Sequence, residues 1–121
     1  MDFTDDRPIY QQIAEDIRRR VLTGELAPGD KLMSTTQYAT TYRINPATAN
    51  KAFALLVDEG TVEKRRGIGM FVAPRAAEKI RAKRKQAFFE QYVRPLAAEA
   101  KNIGITPAEL QAMLAQASEK E

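Results

Sequence analysis

The sequence contains no cysteine, no histidine and no tryptophan, and aromatic residues fill only 7% of its 121 positions. Without cysteine there can be neither a disulfide nor a thiolate metal site, and nothing calls for an oxidising compartment. The carboxylates are scattered over what read as exposed helix faces. With no histidine or cysteine beside them, no nucleophile–base pair and no metal-ligand set can be assembled. Neither an enzyme nor a bound cofactor or metal is expected. Long apolar runs are missing too: none approaches the roughly 18 residues of a membrane span. The acidic start (Asp2, Asp5, Asp6) is unlike a signal peptide. A cytoplasmic chain that touches no membrane is expected. There is no internal repeat and no low-complexity segment. What remains is 44% hydrophobic and 29% charged, enough for one compact domain with a short appendage but not for two full-sized domains.

The formal net charge is +3, and its distribution says more than its size. Lys64, Arg65, Arg66, Arg75, Lys79, Arg81, Lys83, Arg84 and Lys85 crowd one stretch that holds the single acid Glu78. Such a concentration is the footprint of a polyanion partner, or else one solvated helix face.

Periodicity divides the chain into elements. A first helix is expected to begin at Pro8, with Ile9, Ile13, Ile17 and Val21 recurring every four residues beside Tyr10, Ala14 and Leu22. Gly24 stands where a left-handed cap belongs. Arg18, Arg19 and Arg20 read as a solvated last turn complementing the helix dipole. Ala27-Pro28-Gly29-Asp30 is a turn, with a short strand expected at either side. Ser34-Thr35-Thr36-Gln37 has capping-box spacing and opens a short helix burying Tyr38, Ala39 and Tyr42. Asn45-Pro46 opens a third helix whose apolar face is Ala49, Ala52, Phe53, Leu56 and Val57. Two β-prone runs, Val62 and Met70-Phe71-Val72, flank the basic, Gly-containing tip Lys64-Arg65-Arg66-Gly67-Ile68-Gly69 and predict a hairpin.

From Ala76 to about Gly104 the pattern is helical. Phe89, Val93, Leu96, Ala100 and Ile103 make a coiled-coil-like seam, and Pro95 inside it should kink the helix or remove one backbone bond. Thr106-Pro107-Ala108-Glu109 caps a last helix with an expected buried stripe of Leu110, Met113, Leu114 and Ala117. A lone tail would leave its seam wet, so that seam is assigned to contact with a second copy. The fold expected is mostly α with a small β hairpin. Residues 1–75 form a winged helix-turn-helix, and residues 76–121 a short two-helix dimerisation segment.

That order of elements points to double-stranded DNA. A helix-turn-helix sets its second helix in the major groove, leading with its N-terminal residues. The third helix buries Ala49, Phe53 and Leu56 and so leaves Ala47, Thr48, Asn50 and Lys51 outside. Thr can meet a thymine methyl or a phosphate, Asn can pair with adenine, and Lys can reach guanine or phosphate. Ser34, Thr35, Thr36, Asn45 and Pro46 belong to the same expected surface. Lys64, Arg65, Arg66, Gly67, Ile68 and Gly69 add the wing. The alternative is a winged helix serving as a protein-interaction module.

Three stretches in order carry a resemblance: Pro8-Ile9-Tyr10-Gln11-Gln12-Ile13, then Gly24-Glu25-Leu26-Ala27-Pro28-Gly29-Asp30-Lys31-Leu32, then Arg66-Gly67-Ile68-Gly69-Met70-Phe71-Val72. Over residues 8 to about 73 the chain resembles the GntR family of bacterial regulators. Its helix Ile44–Ala52 and short tail resemble the YtrA-like branch, and the tail is too short for the large effector domains of other branches. The resemblance implies a transcription regulator, and a repressor is expected: a homodimer on a palindromic operator, its tail helices supplying most of the dimer contact. It also allows for an unidentified small-molecule effector, although no polar cluster marks a pocket for one. In much of the family arginines stand at the positions held here by Thr36, Pro46 and Asn50, so the base-reading pattern differs and no operator sequence carries over.

Overall fold

The computed structural model describes residues 6–119; Asp2 and Asp5 of the acidic start lie outside them. The chain divides into two compact units, one up to Ala82 and the other from Lys83. The division falls beyond residue 75 because Ala76 and Ile80, on the first turns of the helix that follows the hairpin, are buried in the first unit's core.

In the first unit α1 (Ile9–Leu22) buries Ile13, Ala14, Ile17 and Val21, the four-residue recurrence of its sequence. Pro8 sits one place before the first helical residue and accepts the Gln11 and Gln12 amides on its carbonyl. Ile9, at the open end of the stripe, stays exposed. The Pro28-Gly29 turn closes through Asp30 N–H to the Ala27 carbonyl (3.0 Å), with Gly29 at φ +85 as the third residue of a type II turn requires. The expected strands beside it reduce to one isolated bridge, Lys31 to Phe71. The segment pairs only with the hairpin's edge, where Gly29, Asp30 and Leu32 bond to Val72 and Met70.

Helices α2 (Thr35–Tyr42) and α3 (Pro46–Asp58) follow, joined by Arg43 in the left-handed region at φ +53. The capping box forms: the Gln37 amide donates to Ser34 Oγ at 3.0 Å and the Ser34 amide to Gln37 Oε1 at 3.1 Å. Ala49, Ala52, Phe53 and Leu56 of α3 are buried against α1 and α2, while Val57 is half-buried. Each large apolar side chain so enclosed contributes about 1.5–3 kcal/mol. The Phe53 ring meets Tyr38 edge-on, and Tyr42, only half-buried, tilts against Tyr38. The hairpin pairs β1 (Val62–Arg65) with β2 (Gly69–Val72) in antiparallel register, Val62 opposite Val72 and Arg65 opposite Gly69.

One half-buried ion pair ties this unit together where the sequence suggested only a solvated arginine. Arg18 of α1 holds Glu59, just past α3, through Nε (2.8 Å) and Nη2 (3.1 Å), and the Thr61 hydroxyl donates to the same carboxylate at 3.0 Å. Desolvation opposes the charged guanidinium, but the hydrogen bond and charge of Glu59, then those of Glu15, outweigh it and raise its pKa. Arg19 and Arg20 pair with Asp16 and Glu25.

Burial, aided by the charge of Asp16 and by Tyr42 and opposed by Arg20, pushes the Tyr38 hydroxyl well above the ordinary tyrosine range. The folded unit therefore keeps a proton that the unfolded chain releases above about pH 10. This contribution is intact below that pH and declines above it, by at most about 1.4 kcal/mol per pH unit. Tyr38→Phe is expected to flatten the alkaline loss of stability. Urea unfolding of both proteins on either side of about pH 10 tests this, and parallel declines would refute it.

The helix α4 (Ala76–Phe88) starts in the first unit; in the second it gives way to one π-helical turn, Phe89–Val93, and then to α5 (Arg94–Asn102). The Arg94 amide bonds to the Phe89 carbonyl, five residues back. The expected kink at Pro95 thus takes the form of a widened turn just before it: a prolyl ring in regular winding collides with the carbonyl four residues earlier, and a wider turn accommodates it. After Gly104 (φ +77), Thr106 and Glu109 form the second capping box and open α6 (Pro107–Glu119). Those hydrogen bonds from the Thr106 backbone and hydroxyl lower the Glu109 pKa. The expected buried stripe of α6 is not buried: Leu110 is half-covered, while Met113, Leu114 and Ala117 are exposed. Too few elements surround α6 within its own unit to enclose it.

Candidate nucleic-acid interface

The first turn of α3 is built by its own cap. Asn45 Oδ1 accepts the Ala47 amide at 2.8 Å, the Asn45 carbonyl takes those of Thr48 and Ala49, and Pro46 occupies the first helical position, where no amide is needed. With Ala49, Ala52, Phe53 and Leu56 locked inward, Asn45, Pro46, Ala47, Asn50 and Lys51 are exposed. Thr48 is only half-exposed, since it stands next to buried Ala49 at the edge of the apolar face. On α2, Thr36 is open; Ser34 is exposed but its side chain is engaged in the cap, and Thr35 is half-buried.

The wing turns over Arg66, Gly67 and Ile68. The Ile68 amide bonds to the Arg65 carbonyl at 2.9 Å and Gly67 takes φ +76, a conformation a side chain resists. Gly69 (φ +143) is half-buried, and a β-carbon there would come within 3.0 Å of Lys31 Cε. Lys64, Arg65, Arg66, Gly67 and Ile68 are all exposed. Their roles separate: Arg65 lies over the Phe71 ring (4.2 Å) and within 3.6 Å of Glu63. Among the described residues neither Lys64 nor Arg66 forms an ion pair, so both positive charges stay available to an outside anion.

Two side chains that read as serving other purposes lie beside this candidate surface or support it. Tyr10, which reads as part of an apolar stripe, lies beneath the Lys51 ammonium, with Nζ 4.1 Å from the ring centroid. Arg18 anchors the far end of α3 through Glu59. Partners so far apart in sequence leave no local signal.

No helix among the described residues is long and apolar enough to cross a membrane. The family model described as bacterial regulatory proteins, gntR family, matches residues 9–72. The HTH-type transcriptional regulator YhcF of Bacillus subtilis is 34% identical over 110 residues, covering 89% of this chain and 88% of YhcF. The HTH-type transcriptional repressor YtrA of the same organism is 41% identical over 69 residues, 57% of this chain and 53% of YtrA. Among solved structures, a GntR family transcriptional regulator from Listeria monocytogenes superposes with a TM-score of 0.73 at 28% identity, over 94% of this chain and 98% of that one. The chain belongs to the gntR family of bacterial regulatory proteins, DNA-binding transcription regulators with a helix-turn-helix.

Proposed function

We propose that this chain is a sequence-specific repressor that acts in the cytoplasm as a homodimer on a two-fold symmetric operator. The observation that carries the reading is the two-faced α3. One side is locked into the core and the other opens a capped, polar first turn to solvent, on a unit that also presents the unpaired charges of Lys64 and Arg66. In this reading Ala47, Thr48 and Asn50 lead α3 into the major groove, and the amides at its start favour a nearby phosphate. Thr36 and Lys51 flank them, and Arg66 with Gly67 meets the backbone or minor groove. Residues 76–121 bring two copies together, and the YtrA name supports repression. Symmetry then places the half-sites about 10 bp apart, centre to centre, or a multiple of that. Footprinting on fragments selected from genomic DNA tests this, and protection of one asymmetric half-site would count decisively against it. A protein-interaction module would show no salt-sensitive shift of any fragment.

The two contact surfaces are expected to fail differently. A base contact is worth about 1–3 kcal/mol of discrimination, whereas a lost phosphate contact weakens all sequences alike and lowers the salt slope by about one. Asn50→Ala should therefore lose preference for operator over random DNA at nearly constant salt slope. Arg66→Ala should weaken both DNAs together and reduce the slope. Both side chains are exposed, so both variants should stay folded. An unchanged operator-to-random ratio in Asn50→Ala would remove α3 from the groove.

A further inference from the structure

Lys51 and Tyr10 approach from two helices whose backbones are already fixed by the core. Ile13, Ala14 and Ile17 of α1 share one buried cluster with Ala49, Ala52 and Phe53 of α3. Tyr10 is packed against that cluster, and its hydroxyl accepts a hydrogen bond from Gln11 Nε2 at 3.2 Å. The ring is thus packed against the core with its hydroxyl engaged, and one of its faces carries the Lys51 ammonium at 4.1 Å from the centroid. The negative face of an aromatic ring attracts a cation there, by an amount worth roughly two- to fivefold in an equilibrium at an exposed site. A free lysine on a helix surface samples many rotamers, and that freedom must be given up when its charge meets a fixed partner.

A purely structural explanation is that the lysine stem covers a half-buried ring while its head stays in water. The location of the pair argues for more. Lys51 directly follows exposed Asn50, one turn past the open start of α3, and its charge is held on the α1 side of that helix.

We propose that Tyr10 is a positioning residue for DNA binding, holding the Lys51 ammonium over its ring so that the charge meets a phosphate with little left to order. This inference rests on the reading of α3 as the recognition helix.

A double-mutant cycle tests it, using the full chain and the DNA fragment that the unaltered protein selects from a random pool. K51A is expected to weaken binding and to lower the salt slope by about one. Y10L, which keeps every charge, is expected to weaken binding about two- to fivefold with the slope unchanged, and to add nothing in the K51A background. Y10F, which keeps the ring, should restore binding. In the DNA-free protein, the Lys51 Cε protons should show an upfield ring-current shift that survives in Y10F and vanishes in Y10L. Equal losses from Y10L with and without Lys51, an unaltered affinity in K51A, or no upfield shift would each overturn the proposal while leaving the recognition helix standing. A protein that selects no DNA at all would overturn both.

Discussion

Phe53→Ala is expected to cost about 3–5 kcal/mol, the largest loss from any single side chain in the first unit. Phe53 is 1% exposed, the largest fully buried side chain, and it meets Tyr38 edge-on with ring centroids 5.5 Å apart. Truncation removes the apolar contact and leaves a cavity between two helices that cannot close on it, because α3 is also fixed at both ends. Asn45 caps one end and Glu59, held by Arg18, fastens the other. Domains of this size hold only about 5–15 kcal/mol in total, so a large share of the stability would go. Urea unfolding followed by circular dichroism measures the loss, with Phe53→Leu expected to retain most of what alanine forfeits. A drop below about 1 kcal/mol for alanine would mean that Phe53 is not the keystone of this core.

Leu96→Glu is expected to produce monomers, and with them a loss of operator affinity on the order of 100-fold or more, because two linked half-site contacts would no longer reinforce one another. The expectation follows from the proposed role of the tail. Phe89, Leu96 and Ile103 are 50%, 41% and 63% exposed in the single chain, and Val93 beside them is half-buried. Of the five seam residues only Ala100 is already buried. Soluble monomers usually avoid presenting large apolar patches. A glutamate at its centre would have to be desolvated in any paired state. Light scattering on both proteins, alongside gel shifts on the operator, is the measurement. A parent protein that is monomeric at micromolar concentration would remove the idea outright.

Features decided within a few residues are legible in the sequence itself. Ser34 with Gln37, Asn45 with Pro46, and Thr106 with Glu109 each announce a helix start, since a short polar side chain can satisfy only the amides two or three residues ahead. Apolar periodicity likewise located the inward faces of α1 and α3. Relations between distant segments could not be read this way. Nothing beside Arg18 indicates Glu59, 41 residues later, and nothing beside Lys51 indicates Tyr10. Periodicity also marks an apolar stripe without saying what covers it, which is why Met113 and Leu114 read as buried and stand half open. At the candidate interface the sequence selected the exposed residues of α3 and the wing, but Thr48 proved half-covered and Arg65 is already engaged with Phe71 and Glu63.

The π turn at Phe89–Val93 has a consequence for phase. Regular winding advances about 100° per residue, so one additional residue in a turn offsets everything after it by about that angle. The stretch Lys83–Phe88 and α5 are therefore out of step with any uninterrupted heptad count, and Phe89 cannot share a straight line with Leu96 and Ile103 as their spacing alone would suggest. Pro95 disfavours a return to ordinary winding, because its ring would then crowd the Gln91 carbonyl. The proline thereby favours one phase of the tail, and a substitution that frees this position would lower the cost of ordinary winding, which turns α5 by about 100° relative to Lys83–Phe88.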